Sequence, residues 1–437
     1  MTVPEGVSPV RPGWTRTLPG LPGDAGRRRA SPLHDLLVGQ AVSSLGDWMG
    51  TVALMALVLQ VTGSATAVGG VLVLRLAPTV LAGPVAARLA TRWSRRRTML
   101  AMDAVRVPIV AVLPWVTHLW WIYPWACAAE MAGMVFLPAR DAVIPDLVTR
   151  RGGGGDDDLA VANGLVLASS YGMIPVGAGL FALVSALAGS DGVVAAARLV
   201  FALDALTFVV SFLAIRRLPE ARTVPAAGGD AGPRPGFLAA LRLPLVRRLA
   251  PVAAAVAVGL GALFSVGIVW VREVLGASET EFGLLVACFG VGAGGGLVAL
   301  RYLRGRGLRT IRALLVVQGA VVASMSLAPT VALALAGAVA FGGISALVLA
   351  LAMVVPQDEL GDHERVLAFA VFHVVIRGGL AVAAMAAGVA DDLLDEVRWP
   401  VVGQLASAQV VLLSSGLLVV LAGLAAGRAT GVAAEPR

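Results

Sequence analysis

The sequence predicts an all-α membrane protein: twelve transmembrane helices in two six-helix bundles. Three observations carry that prediction. First, 58% of the 437 residues are hydrophobic and only 14% charged, with a mean hydropathy of +0.85, whereas a soluble domain carries about 25% charged residues. Second, a spanning helix needs about 20 mostly apolar residues, so a chain of this length with short loops has room for about twelve. Third, the 34 basic residues are all arginine, and they sort to alternate loops.

Residues 1–33 mix Pro, Gly and Arg without periodicity and predict a disordered cytoplasmic tail. No cleavable leader is expected, because the first apolar run is longer than an h-region and no small-residue cleavage site follows a short one. Spans follow at about 36–61, 66–90, 99–117, 121–140, 159–188, 193–215, 249–271, 283–301, 311–327, 330–355, 366–389 and 402–426. On this layout 28 arginines fall in the tails and in the loops of one side. Arg198, Arg272 and Arg398 fall on the other side, while Arg75, Arg106 and Arg377 lie inside spans. Such a bias predicts that both termini are cytoplasmic.

The first basic turn, Gly83 to Arg97, is too short and too charged to be anything but a hinge at the membrane surface, since arginine at a helix centre costs roughly 2.5–3.5 kcal/mol. Residues 217–248 turn polar and Pro/Gly-rich around Ala226 to Pro233 and predict a cytoplasmic linker between bundles at 34–216 and 249–427, with 428–437 as a second tail. Gly152 to Asp158 predicts a solvated tether; its three adjacent carboxylates lack the alternating spacing of a calcium loop. Cys127 and Cys288 lie in apolar segments and predict no disulfide framework.

The first basic turn recurs. Ala87-x-x-x-Thr91-Arg92-x-x-Arg95 is matched by Gly296-x-x-x-Leu300-Arg301-x-x-Arg304, each between the second and third span of its bundle. Parallel six-helix repeats are a transporter plan that places the substrate near mid-membrane between the halves. Other local patterns are Gln40-x-x-Ser43-x-Leu45-Gly46-Asp47, Thr62-Gly63-Ser64, Asp103-x-x-Arg106, Pro138-Ala139-Arg140-Asp141-Ala142-x-Ile144-Pro145-Asp146-Leu147, and Ala162-Asn163.

On these residues the sequence resembles the major facilitator superfamily from Leu36 to about Gly427, and is most similar to the branch of bacterial exporters that includes siderophore and macrolide efflux proteins. The resemblance implies a secondary transporter, a proton-coupled antiporter that exports small organic or amphipathic molecules by rocking two bundles. The family's loop pattern Gly-x-x-x-Asp-Arg-x-Gly-Arg-Arg reads here as Ala87, Thr91-Arg92, Ser94 and Arg95-Arg96, so a threonine stands where a carboxylate would latch the cytoplasmic gate. In the fifth span an antiporter pattern built on Gly-Pro-x-x-Gly-Gly reads Ile174-Pro175-Val176-Gly177-Ala178-Gly179, keeping a proline bend and two small residues.

Ionisable groups inside spans are expensive and mark function. Asp47, Arg75 and Glu130 fall near mid-depth and are the leading proton-coupling or substrate-cavity candidates, followed by Asp204 and Arg377. A carboxylate that alternates between a guanidinium partner and a protonated, neutral state gives proton coupling a physical route; the competing reading is an ion pair with Arg75 that only pins helix packing. Asp103 and Arg106, three apart, read as a packing pair near the cytoplasmic end. They join Thr91, Arg92, Arg95, Arg96, Arg301 and Arg304 as gate and hinge residues. His373 reads as an interhelical hydrogen-bonding residue, and Trp115, Trp120, Trp121 and Trp125 as an interface belt. Gly290, Gly292, Gly294, Gly295 and Gly296 form a small-residue packing face.

Without lysine no Walker-type phosphate loop can form, and neither a Gly-x-Ser-x-Gly elbow nor a His-Glu-x-x-His motif occurs, so enzymatic function is not expected. No cofactor or metal is expected. The anticipated partners are the lipid bilayer, a small-molecule substrate and protons, with no nucleic acid, for a monomer in a bacterial cell membrane. The rival expectations are a nutrient-uptake permease and a non-transporting scaffold or sensor of the same fold.

Overall fold

In the computed structural model, residues 31–74, 78, 92–150, 156–188, 192–220, 244–303, 308–359, 362–397 and 405–431 are described, and they contain thirteen α-helices and no strand. The first half of the molecule is built from α1 (Pro32–Thr62), α2 (Ala65–Val73), α3 (Arg95–Val112), α4 (Leu119–Arg150), α5 (Asp156–Tyr171), α6 (Ile174–Ala188) and α7 (Gly192–Arg216). The second half holds α8 (Pro244–Glu273), α9 (Glu279–Ala299), α10 (Leu308–Ser326), α11 (Val331–Glu359), α12 (Asp362–Val397) and α13 (Ser407–Gly431). Ten segments among the described residues are long and apolar enough to cross a membrane. The exceptions are the nine described residues of α2 and α4, whose Trp, Tyr and Pro residues dilute its hydropathy. Counting α5 and α6 as one broken helix, the architecture is the expected all-α membrane fold of twelve spans.

Local chemistry sets the helix ends. Ser31, Ser64 and Ser94 cap α1, α2 and α3 by accepting from backbone N–H groups of the first turn, and Ser278 with Glu281 forms a reciprocal capping box on α9. Gly63 closes α1 at φ 65°, a left-handed conformation suited to glycine. The acidic run Asp156–Asp158 is not part of a tether: it opens α5.

The fifth span breaks at Gly172 and Met173. Pro175 has no N–H to continue the ladder and disfavours helical backbone before it. The carbonyl of Ser170, next to the break, accepts instead from the indole N–H of Trp48 on α1 (3.2 Å). Helix α4 runs ten residues past the expected end at 140, because its charged last turns are held by other helices rather than by lipid. Arg140 donates to Gln40 (3.0 Å) and pairs with Asp141 (2.7 Å); Arg95 donates to the Ala142 carbonyl (2.5 Å) and to Asp146 (3.0 Å).

Within the first half α1 lies along α7, α3 between α4 and α7, and α6 against α1. In the second half α8 packs on α12 and α13, α9 on α11, and α10 on α13. Some of these crossings are glycine contacts: a Cβ at Gly292 would strike the Val339 carbonyl, and one at Gly319 would stand 2.5 Å from the Gly416 carbonyl. The halves touch each other through α2 on α12 and α6 on α9. The contacts of the first pair run from Ala65 and Gly69 to Ala384 and Gly388, and of the second from Pro175, Phe181 and Ala182 to Gly283 and Gly290. By chain direction the first pair, and Gly283 at the start of α9, lie towards the face opposite the arginine-rich loops.

Candidate functional site

The strongest site is a partly open cavity in the first half, lined by α1, α2, α3, α4 and α7. Its wall is mostly apolar, including Leu54, Val71, Val110 and Phe201, and four charged side chains enter it: Asp47, Arg106, Glu130 and Asp204. The repeat in the sequence predicts a substrate cavity between the halves, whereas every residue lining this one belongs to the first half.

Arg106 organises the cluster. Its Nη2 donates to Asp47 Oδ1 at 2.5 Å, and its guanidinium lies 3.9 Å from the centroid of the Phe208 ring. Stacking and a charge-assisted bond hold the same planar group from two sides. Asp47 is the accessible member, with 37% of its side chain exposed against 10% for Arg106. Asp204, on α7, is buried; Thr207 Oγ1 donates to its Oδ1 (3.3 Å), and its charged neighbours are Asp47, Arg106 and Glu130. Gly46 and Gly50 on α1 make room for it: a Cβ at Gly46 would collide with Asp204 Oδ1 and Thr207 Oγ1. Asp103 is wholly buried one turn before Arg106, with Ser211 beside it but not in hydrogen-bond geometry.

Four carboxylates therefore act on one guanidinium, three of them, Asp47, Glu130 and Asp204, lining the pocket and Asp103 buried behind it. Each can compete for that cation or be neutralised by a proton, so a change at one carboxylate is felt by the others through Arg106. This is chemistry for exchanging protons or cations, not for breaking bonds. Among the described residues no group of three or more His, Cys, Asp or Glu is arranged to hold a metal ion.

Of the residues singled out from the sequence, Asp47, Glu130 and Asp204 converge here, and Arg106 joins them instead of pairing with Asp103 at the membrane surface. Arg75, Thr91, Arg304 and the side chains of Arg301 and His373 lie outside the described residues, as do most of the tail, the linker core and the Gly152–Gly155 run. Arg377 is exposed on α12. In the basic turn, Arg92 is exposed, whereas Arg95 holds α4 and Arg96 holds the end of α7, donating to the Ile215 carbonyl (3.4 Å) and to that of Arg216. Both grips are inside the first half. Pro175 is the second residue of α6 and abuts Gly290 of the other half; Gly177 packs on Leu45 and Trp48, and Gly179 faces open space. Sequence reasoning missed the Gln40–Arg140 contact and Asp392, which meets the first turn of α2. Their signal was an ionisable side chain at the rim of an apolar run, which an expected span end at 140 and one at 389 left in loops.

Residues 36–385 match the sequence profile of the Major Facilitator Superfamily. An uncharacterized MFS-type transporter, YfiS of Bacillus subtilis (strain 168), is 29% identical over 121 residues, a stretch spanning 28% of this chain and 29% of that relative. Among solved structures, a D323A mutant of the nucleoside transporter NupG matches with a TM-score of 0.71 at 13% identity, covering 91% of this chain and 98% of that one. A bacterial homolog of the human lysosomal transporter Spinster, inward-facing and unoccupied, matches with a TM-score of 0.68 at 15% identity over 92% and 96% of the two chains. A bacterial homologue of the iron transporter ferroportin, inward-facing, gives 0.68 at 13% over 92% and 99%.

Proposed function

The chain belongs to the Major Facilitator Superfamily, and on that premise we propose that it is a proton-coupled exporter of small organic or amphipathic molecules. It is a multi-pass membrane transporter and not an enzyme. The observation that carries the proposal is the Asp47–Arg106 pair facing a mainly apolar cavity, with Glu130 and Asp204 in the same wall. An apolar lining suits an amphipathic cargo, and a carboxylate shared between a guanidinium and water suits a group that takes up and releases protons. The arginine bias supports a bacterial cell-membrane protein whose termini and 217–248 linker are cytoplasmic, with transporting halves at 34–216 and 249–427. It works as a monomer, with lipid, substrate and protons as its partners.

Inverted vesicles loaded with a pH-sensitive dye provide the test. Proton release on adding a substrate supports export by antiport; proton movement together with substrate would make the protein an uptake permease, and silence across a broad panel would make it a scaffold or sensor. In Asp47→Asn and Glu130→Gln variants, transport is expected to fall at least about tenfold and to lose its pH dependence. Variants that transport with the wild-type pH profile overturn the coupling assignment.

A further inference from the structure

The first turn of α2 is capped from the other half of the molecule. Asp392, near the end of α12, accepts hydrogen bonds from Ser64 Oγ (2.6 Å), the Ala65 N–H (2.9 Å) and the Thr66 N–H (3.2 Å). A helix start leaves its N–H groups without internal partners and carries a partial positive charge, so a carboxylate there is held by charge-assisted bonds. Arg272, at the end of α8, is engaged by Glu279 (3.5 Å), and Asp392 forms no salt bridge among the described residues. Its counter-charge is the helix end itself.

The surrounding contacts also cross between the halves. Ser265 Oγ of α8 donates to the Ala65 carbonyl (3.2 Å). A Cβ at Gly388 would stand 2.5 Å from the same carbonyl, and one at Gly69 would stand 2.6 Å from the Ala384 carbonyl, so backbone meets backbone. Yet α2 does not depend on Asp392 to stay helical, because Ser64 Oγ also caps the Ala67 N–H from within its own half (3.2 Å). The bond between halves can break while the helix keeps a cap, and water can hydrate both partners once they part.

We propose that Asp392 is a gate residue for the face opposite the arginine-rich loops: it joins the halves while that face is closed and lets go of Ser64, Ala65 and Thr66 when it opens. Rocking separates the start of α2 from the end of α12, and all three bonds are lost in one step.

Spin labels at exposed His118 and Thr330, on this face of the first and second halves, report the opening by pulsed EPR distances in a background with Cys127 and Cys288 changed to Ser. With Asp392 intact the short-distance population is expected to dominate. Asp392→Asn keeps the size of the side chain and removes its charge; Ser64→Asp keeps a side-chain cap for the Ala67 N–H and removes the donor to Asp392. Each is expected to raise the ratio of long to short distances, Asp392→Asn by about tenfold, equivalent to about 1.4 kcal/mol. Unchanged distributions in both variants overturn the proposal. So does a lowered thermal midpoint with unchanged distances, the signature of a static staple. If Asp392→Asn does not fold, Ser64→Asp decides alone. The measurement needs no substrate, so its outcome is independent of the direction and coupling of transport.

Discussion

At Gly46 a single methyl group decides whether the Asp204 carboxylate keeps its place. The hydrogen of glycine is all that fits between α1 and the Asp204–Thr207 pair, and α7 would have to retreat from anything larger. Gly46→Ala is therefore expected to lower stability by about 1–3 kcal/mol, the usual range for forcing extra volume into a packed site, and to reduce transport with it. Gly179→Ala, at a helical position facing open space, serves as the control and should shift the thermal midpoint in detergent by less than about 1 kcal/mol equivalent. Equal effects at the two positions would refute the packing argument. Asp47, Glu130 and Asp204 were legible from the sequence because a carboxylate within an apolar run is conspicuous. The sequence predicts Arg106 near the cytoplasmic end because the Arg95–Arg97 cluster reads as loop. Helix α3 begins at Arg95 under a Ser94 cap, which puts Arg106 about 17 Å along it at ~1.5 Å per residue, level with the cavity and not the surface.

The elements show which kind of information apolar runs contain. Their number and order could be read directly, but a run reports where lipid ends, not where a helix ends, and α4 continues past its lipid-facing part on side-chain grips from α1 and α3. Glycine spacing is similarly partial. It marks a helix face without naming its partner, and the six glycines of α9 divide three ways: Gly292 and Gly296 meet α11, Gly283 and Gly290 meet α6 across the halves, and Gly294 and Gly295 have no neighbour within 4 Å. Gly292→Ala should consequently destabilise the second half, lowering the thermal midpoint, whereas Gly294→Ala should leave it in place. A reversal of that order would mean that α9 turns another face to α11.

For the whole molecule, alternating access requires that the contacts of one face be exchangeable while each half stays intact. The crossings between halves, α2 on α12 and α6 on α9, bring glycines and hydrogen bonds together with buried apolar side chains such as Phe181. Pairing of the halves was not legible beforehand, since contacts of this kind leave no periodic trace: Asp392 and Ala65 are 327 positions apart in the chain. Each half needs a firmer joint within itself, and in the first half Arg95 and Arg96 supply one, clasping the carbonyls of α4 and of the end of α7. Both guanidinium groups also pair with carboxylates, Arg95 with Asp146 (3.0 Å) and Arg96 with Glu220 (3.6 Å), so counter-ions compete for the clamp. Raising salt from about 0.15 to about 1 M shrinks the screening length from about 8 to about 3 Å. Stability of the wild-type protein is therefore expected to fall as salt rises at constant pH, and that of an Arg95→Ala, Arg96→Ala variant to change less. The joint that holds the first half together is thus one that ionic strength can loosen.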